Sequence, residues 1–250
     1  MGEKVKGVVL CGGTGSRLRP LTYYFQKAMI PVGSKQKPLL EYIIRLLKYH
    51  GISDITLLVN YKAEQIINYF DDGSRFGVKL AYVKDNPNYK GNGGAIYNAY
   101  RLGIFNNYEH IVIYYGDILT SLDLSALLRK HVENRATATL ALSTNYSVSV
   151  GVAEVEGNRI VKLEEKPRLN IPVVIGIAAV RVNVLNYLEN LVVELKEVDL
   201  MRDFIPLLVS RGYNVEAFFT DAFWYDLGST ERYEKLEPHT VDEILDFLFL

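Results

Sequence analysis

The chain predicts an α/β protein of three layers, α/β/α, built on a mixed but mostly parallel central sheet, and three features carry that expectation. Short apolar runs alternate with amphipathic segments of helical length through the first half. The runs are apolar at nearly every position, as strands buried on both faces require. A glycine-rich turn or a Gly-Asp pair follows where two of the runs end, and ligands of such sheets gather outside the carboxyl ends of strands.

In chain order, Val5 to Leu10 reads as the first buried strand. Pro38 to Tyr49 carries Leu39, Ile43, Leu46 and Leu47 at helical spacing, and Ile55 to Val59 is the next strand. A helix near Glu64 to Tyr69, a strand near Val78 to Val83, a helix near Gly94 to Leu102 and a strand at Ile111 to Tyr115 continue the alternation. Strands follow at Ala136 to Leu142, Gly151 to Val155, Arg159 to Leu163 and Val173 to Val180, with Glu156-Gly157-Asn158 as a hairpin turn between the second and third of these. Helices over Val184 to Leu191 and Leu200 to Arg211, a strand from Val215 to Phe219 and a helix starting near Ser229 complete the pattern. The expected organisation is one domain over residues 1–240, with a first part of about 1–135 and a smaller lobe of about 136–225. Residues 241–250 form an apolar tail, placed either to cap the fold or to pack against a second copy in a homo-oligomer.

The 250 residues suffice for a full-sized core. Lys and Arg total 28 against 29 Asp and Glu, a formal charge of -1 that argues against nucleic acid as a partner. A single cysteine, Cys11, excludes an intramolecular disulfide and a multi-cysteine zinc site, and reads as a small core residue. No run approaches the roughly 20 apolar residues of a membrane span, and the first residues lack the apolar segment of a signal peptide. A cytoplasmic protein with no membrane partner is expected.

The most informative stretch runs from Val8 to Thr22, where an apolar strand enters Gly12-Gly13-Thr14-Gly15-Ser16-Arg17. Such a turn lets backbone N–H groups approach a phosphate, and Arg17 adds a planar donor of permanent charge. Leu18 stands where a dinucleotide-binding G-x-G-x-x-G needs its third glycine, and no Gly-Lys-Ser/Thr closes a P-loop, so both of those readings are excluded. Lys27 follows closely enough to reach the same phosphates, whereas Lys37-Pro38 marks a helix entry. Asp117, after a strand, suits either a hard divalent cation or a turn. Asp226 has the same two readings, as an oxygen ligand or as a residue ahead of a helix capped by Ser229 or Thr230. Gly91-Asn92-Gly93-Gly94-Ala95 is a permissive turn into a helix, open to a base or sugar or merely a tight connection, and Glu165-Lys166-Pro167 is a substrate-facing pair or a surface charge cluster.

Taken together, from Leu10 to Tyr233, these segments resemble the sugar-1-phosphate nucleotidyltransferases. The opening Gly12 to Leu18 with Pro20-Leu21-Thr22 matches the family signature; Lys27, Lys37-Pro38, Gly91 to Ala95, Gly116-Asp117, Glu165-Lys166-Pro167, Asn170 with Gly176, and Trp224 to Tyr233 follow in family order. One departure is Gln26, which stands before Lys27 where family members usually have proline. The resemblance implies a Rossmann-like nucleotidyltransferase fold with a smaller sugar-binding lobe. It also implies a magnesium-dependent transfer: a sugar-1-phosphate oxygen attacks the α-phosphorus of a nucleoside triphosphate, giving a nucleotide-sugar and pyrophosphate with no covalent enzyme intermediate. Carried onto this chain, Arg17, Lys27, Asp117 and Lys166 are the catalytic group, and Asp117 and Asp226 hold Mg2+. The nucleotide falls to Leu10, Gly12, Gly13, Thr14, Gly15, Ser16, Arg17, Lys27 and Gly93, and the sugar to Gly116, Glu165, Lys166, Asn170 and Gly176. Glucose-1-phosphate with dTTP or UTP is the favoured substrate pair, mannose- or heptose-1-phosphate guanylyl transfer the alternative. A catalytically silent subunit that binds nucleotide-sugars is a further reading, which retention of the charged residues disfavours.

Overall fold

Strands buried at nearly every position, with side chains alternating between two faces, set the layers. In a computed structural model, which describes residues 4–144, 146–148 and 150–250, the first half comprises β1 (Val5–Cys11), β2 (Pro31–Val32), β3 (Lys37–Pro38), α1 (Leu39–Tyr49), β4 (Asp54–Val59), α2 (Ala63–Phe70), β5 (Lys79–Lys84), α3 (Gly91–Arg101), β6 (His110–Tyr115), β7 (Ile118–Thr120) and α4 (Leu124–Glu133). The second comprises β8 (Ala138–Ser143), β9 (Tyr146–Ser147), β10 (Gly151–Glu156), β11 (Arg159–Glu165), β12 (Arg168–Leu169), β13 (Val173–Arg181), α5 (Leu188–Glu194), α6 (Ile205–Ser210), β14 (Val215–Phe219), β15 (Trp224–Asp226), α7 (Thr230–Lys235) and α8 (Pro238–Leu245).

Seven strands form the central sheet in the order β14-β8-β13-β6-β1-β4-β5, and within it only β13 runs against the others. Val9, Leu57, Val112, Tyr114 and Ile177 point into one core with α1, α2, α4 and α8. Their neighbours Val8, Leu58, Ile111, Ile113 and Ala178 point into a second core with α3, α5 and α6. Apolar side chains on alternate faces therefore need helices on both sides, each fully buried Leu or Ile contributing about 1.5–3 kcal/mol. The three-layer expectation is met.

The chain leaves β1 toward β4 and β5 on one side and returns through α3 to β6 on the other, so a switch in strand order lies beside the carboxyl end of β1. The loops after β1, β4, β5 and β6 all open at that edge.

Four local differences from the sequence reading have physical causes. The helix expected over Leu200 to Arg211 is a π-helical turn, Leu200–Phe204, followed by α6, because Pro206 has no N–H to continue the ladder. Helix α3 starts at Gly91, three residues early, since the glycines tolerate tight packing there. The short ribbon β7–β15 and helix α4 are additional. The later strands β8, β13 and β14 extend the main sheet, so the smaller lobe narrows to the β9–β12 ribbon and the β10–β11 hairpin, every residue of which is exposed.

The C-terminal tail folds back on its own chain. Val241, Leu245 and Leu248 are buried in the core under α1, and Phe249 and Phe247 meet Tyr42 and Tyr49 edge-on at 5.0 and 4.9 Å. The capping alternative holds for this segment, which removes the observation that pointed to self-association. No helix among the described residues is long and apolar enough to cross a membrane.

Candidate active site

Two strand ends and one glycine turn enclose a cavity of about 470 Å³. Leu10, Cys11, Gly12, Gly13, Thr14, Gly15, Ser16 and Arg17 line it from β1 and its turn; Lys27, Gly116 and Asp117 line it from the neighbouring loops. Ten of the residues expected at the substrates thus share one space. Gly15 adopts φ +62°, and a Cβ there would stand 2.8 Å from Thr22 Cγ2 and 3.2 Å from Lys27 Cβ. A side chain would be strained and would push Lys27 away. Thr22 Oγ1 donates to Gly15 O at 2.8 Å, closing the turn, and Leu18 is buried, which leaves Arg17 exposed beside the cavity.

Gln26 turns out to be structural. Its Nε2 donates to Cys11 O and its Oε1 accepts from Ala28 N, both at 2.6 Å, while its own N–H donates to Gln65 Oε1. The buried amide thus ties the short turn carrying Lys27 to the end of β1, a tethering that proline could not supply.

Lys27 Nζ is paired with Asp117 Oδ2. Asp226 is brought alongside by the ribbon: β15 pairs with β7, and Leu227 N donates to Asp117 O at 2.9 Å. Burial first, and then the charge of Asp117, push the Asp226 carboxyl above the usual carboxylate range, while Arg232, Lys27 and Arg17 draw it back. Arg232 Nη1 donates to Asp226 Oδ2 at 2.8 Å. The two carboxylates, near enough for the charge of Asp117 to act on Asp226, make a hard-oxygen pair of the kind that would suit a divalent cation. Among the described residues no group of three His, Cys, Asp or Glu side chains surrounds a metal position. Ser229 does act as the cap of α7, accepting from Arg232 N at 3.3 Å, alongside rather than instead of this arrangement.

Cys11 lies behind the turn, fully buried. Burial, with Asp117 and Asp85 adding to it, raises its thiol far above the ordinary value, so no thiolate nucleophile forms there.

Other expected residues lie elsewhere. Gly93 does not line the cavity: its N–H donates to Val198 O at 2.9 Å, and a Cβ would stand 2.6 Å from Val198 Cγ1. It seats α3 against residues 197–199, and its neighbours Gly91, Asn92 and Ala95 face the cavity instead. Gly176, at φ +77° where the register of β13 shifts, packs against Ile118 and Tyr115. Glu165 and Lys166 lie at the end of the β10–β11 hairpin with side chains 72% and 61% exposed, and Asn170 follows β12 outside the cavity lining. Lys235 first, and Lys166 to a smaller degree, hold the Glu231 carboxyl of α7 low, which places the hairpin end near α7, whose Thr230 Oγ1 also donates to Arg19 O at 3.2 Å beyond the glycine turn.

Among the cavity's carboxylates, sequence reading missed Asp85 and Glu197, while Asn92 belongs to the turn it had marked. Asp85 follows β5, the same strand-end signal that marked Asp117, and lines the cavity. Asn92 Nδ2 donates to Tyr115 Oη at 3.2 Å and to Asp199 Oδ2 at 2.7 Å, which fixes the start of α3. Glu197 adds a further carboxylate at the rim.

The nucleotidyl transferase family model matches residues 6–243. A UTP-glucose-1-phosphate uridylyltransferase of Synechocystis is 33% identical over 92% of the chain, which spans 61% of that relative's length. The chain is also 29% identical to the D-glycero-α-D-manno-heptose 1-phosphate guanylyltransferase of Aneurinibacillus thermoaerophilus, covering 93% of this chain and 97% of that one. The solved structure of HddC from Yersinia pseudotuberculosis superposes with a TM-score of 0.71 at 21% identity, covering 93% and 97% of the two chains, and so shares the fold. With nearly the whole sequence matched and the glycine turn, Lys27 and Asp117 in one cavity, the chain belongs to the nucleotidyl transferase family.

Proposed function

We propose that the protein joins a nucleoside triphosphate to a sugar-1-phosphate, releasing pyrophosphate. The convergence of Lys27, Asp117 and Asp226 beside the glycine turn carries this reading. Backbone N–H groups of Gly12 to Ser16 and the charge of Arg17 receive the triphosphate. Asp117 and Asp226 hold Mg2+, which when bound supplies charge neutralisation at the phosphates. Lys27, released from Asp117 as the phosphates arrive, stabilises negative charge developing on them. A sugar-phosphate oxygen then displaces pyrophosphate in line, a reaction that asks for positioning and charge rather than a covalent protein group; the buried, protonated Cys11 is consistent with that.

The sugar end belongs to the hairpin side. Lys166 grips the sugar-1-phosphate, with Glu165 and Asn170 toward the sugar and Gly116 and Gly176 keeping the approach close. The family resemblance puts glucose-1-phosphate with UTP or dTTP first and a mannose- or heptose-1-phosphate with GTP second. Pyrophosphate release across a matrix of five triphosphates and these sugar phosphates tests the reading: turnover requires both partners, and release without any sugar-1-phosphate would contradict it. Lys166→Ala is expected to raise the KM for sugar-1-phosphate about 10-fold or more while leaving triphosphate binding within about 2-fold, because separate groups hold the two anions. Calorimetry with each ligand checks this, and a collapse of triphosphate binding alone would remove Lys166 from the sugar side.

A further inference from the structure

Helix α4 turns Leu124, Leu127 and His131 toward the sheet, a stripe at i, i+3 and i+7. The first two are leucines of the core, whereas the third places an imidazole where another leucine would pack without polar partners. His131 is fully buried, as is Thr139 of β8, and His110 at the start of β6 is 2% exposed. The two rings meet edge-on, with centroids 4.8 Å apart and planes at 87°. His110 Nδ1 lies 2.9 Å from His131 Nε2, and His131 Nδ1 lies 2.9 Å from Thr139 Oγ1. Both nitrogens of His131 are thus engaged, and through them α4 is joined to two strands of the central sheet. The charges that act on His131 come from His110 and from Arg181 of β13, while Lys130, beside it on α4, donates to Ala217 O of β14 at 2.8 Å. None of these groups lines the cavity.

A nitrogen–nitrogen contact of this length holds one hydrogen. One ring donates and the other accepts, so charging both rings would point two N–H groups at each other. The folded pair therefore takes up one proton at most, whereas two histidines of an unfolded chain both charge below about 6.5. We infer that the His110–His131 contact is an acid-sensitive latch, which holds α4 on the sheet at neutral pH and releases it when acid drives a second proton onto the pair. Below the ordinary histidine range the unfolded chain binds at least one proton more than the folded pair, so stability is complete above that range and falls with pH beneath it. Burial first, and then the charges of His110 and Arg181, lower His131 to about 3, which sets the window of loss between 6.5 and about 3. Release of α4 reaches the site, since α4 follows β7 directly in the chain and the pairing of β7 with β15 sets Asp226 beside Asp117.

Urea unfolding of the wild-type protein and of His131→Gln, followed by circular dichroism at a series of pH values, reads the latch without recourse to activity. Glutamine keeps a donor and an acceptor in place of the ring and takes up no proton. Below about pH 6 the wild-type folding constant is expected to fall more steeply than that of the variant, by about tenfold per pH unit for the one proton at issue. Equal slopes overturn the inference. Amide exchange locates the release: protection in α4 is expected to fall faster with acid than protection in β1, and protection that falls in step in the two elements overturns it. If His131→Gln does not fold at neutral pH, nitrogen NMR of the wild-type imidazoles decides. One neutral ring of the pair at about pH 5 upholds the latch, and two charged rings in the folded protein overturn it.

Discussion

Asp117→Asn is expected to lower the rate of pyrophosphate release by about 10³-fold, the upper range for loss of one preorganised electrostatic group, while leaving the melting temperature nearly unchanged. The carboxylate stands at the cavity surface, where its partners are Lys27 and, through space, Asp226. Removing its charge takes away half of the oxygen pair proposed for Mg2+ and leaves the core strands β1, β4 and β6 untouched. Asp226 supplies an independent readout. The charge of Asp117 is the second cause of its raised carboxyl, after burial, so Asp117→Asn moves the Asp226 titration down toward the ordinary carboxylate range. Carbon-detected NMR titration measures that shift. A variant that keeps full activity with magnesium chelated would remove both residues from the metal role.

Lys27→Ala is expected to cost about 10²-fold in kcat/KM, with most of the effect in kcat if Lys27 meets charge that develops only during transfer. Its surroundings also predict that arginine will not rescue it. The compact ammonium of Lys27 sits against Asp117 Oδ2, a position that a larger, planar guanidinium does not reproduce. Steady-state kinetics of Lys27→Ala and Lys27→Arg decide it. Recovery of wild-type efficiency in Lys27→Arg would mean that charge alone, and not the lysine geometry, serves the phosphates.

The sheet was legible because burial on two faces writes itself into the strands at every position: Val8 and Val9, or Ile113 and Tyr114, enter opposite cores from adjacent residues. Helix α1 and the strands around it were read to within a residue or two for that reason. The ribbon β7–β15 was not, since three-residue strands hold no period to detect, yet it is the device that sets Asp226 beside Asp117. In the site, residues carried on the turn after β1 and at the end of β6 were legible because glycine and charge are concentrated there. Gly93 was misplaced since a glycine needed for helix packing against Val198 looks the same in sequence as one needed for a ligand. Asp85 was overlooked although it bears the same mark as Asp117, a carboxylate closing a buried strand. What separates it from an ordinary turn aspartate is the neighbourhood of Gly12, which only the sheet order β1-β4-β5 creates.

Direct transfer between two phosphorylated partners in this one cavity is tested by phosphorus NMR of the reaction mixture. With a nucleoside triphosphate, a sugar-1-phosphate and magnesium, the resonances of a nucleotide-sugar and of pyrophosphate are expected to grow in equal amounts, neither growing when the sugar-1-phosphate is left out and both growing about 10³-fold more slowly in Asp117→Asn. Pyrophosphate or nucleoside monophosphate accumulating without a nucleotide-sugar would contradict it.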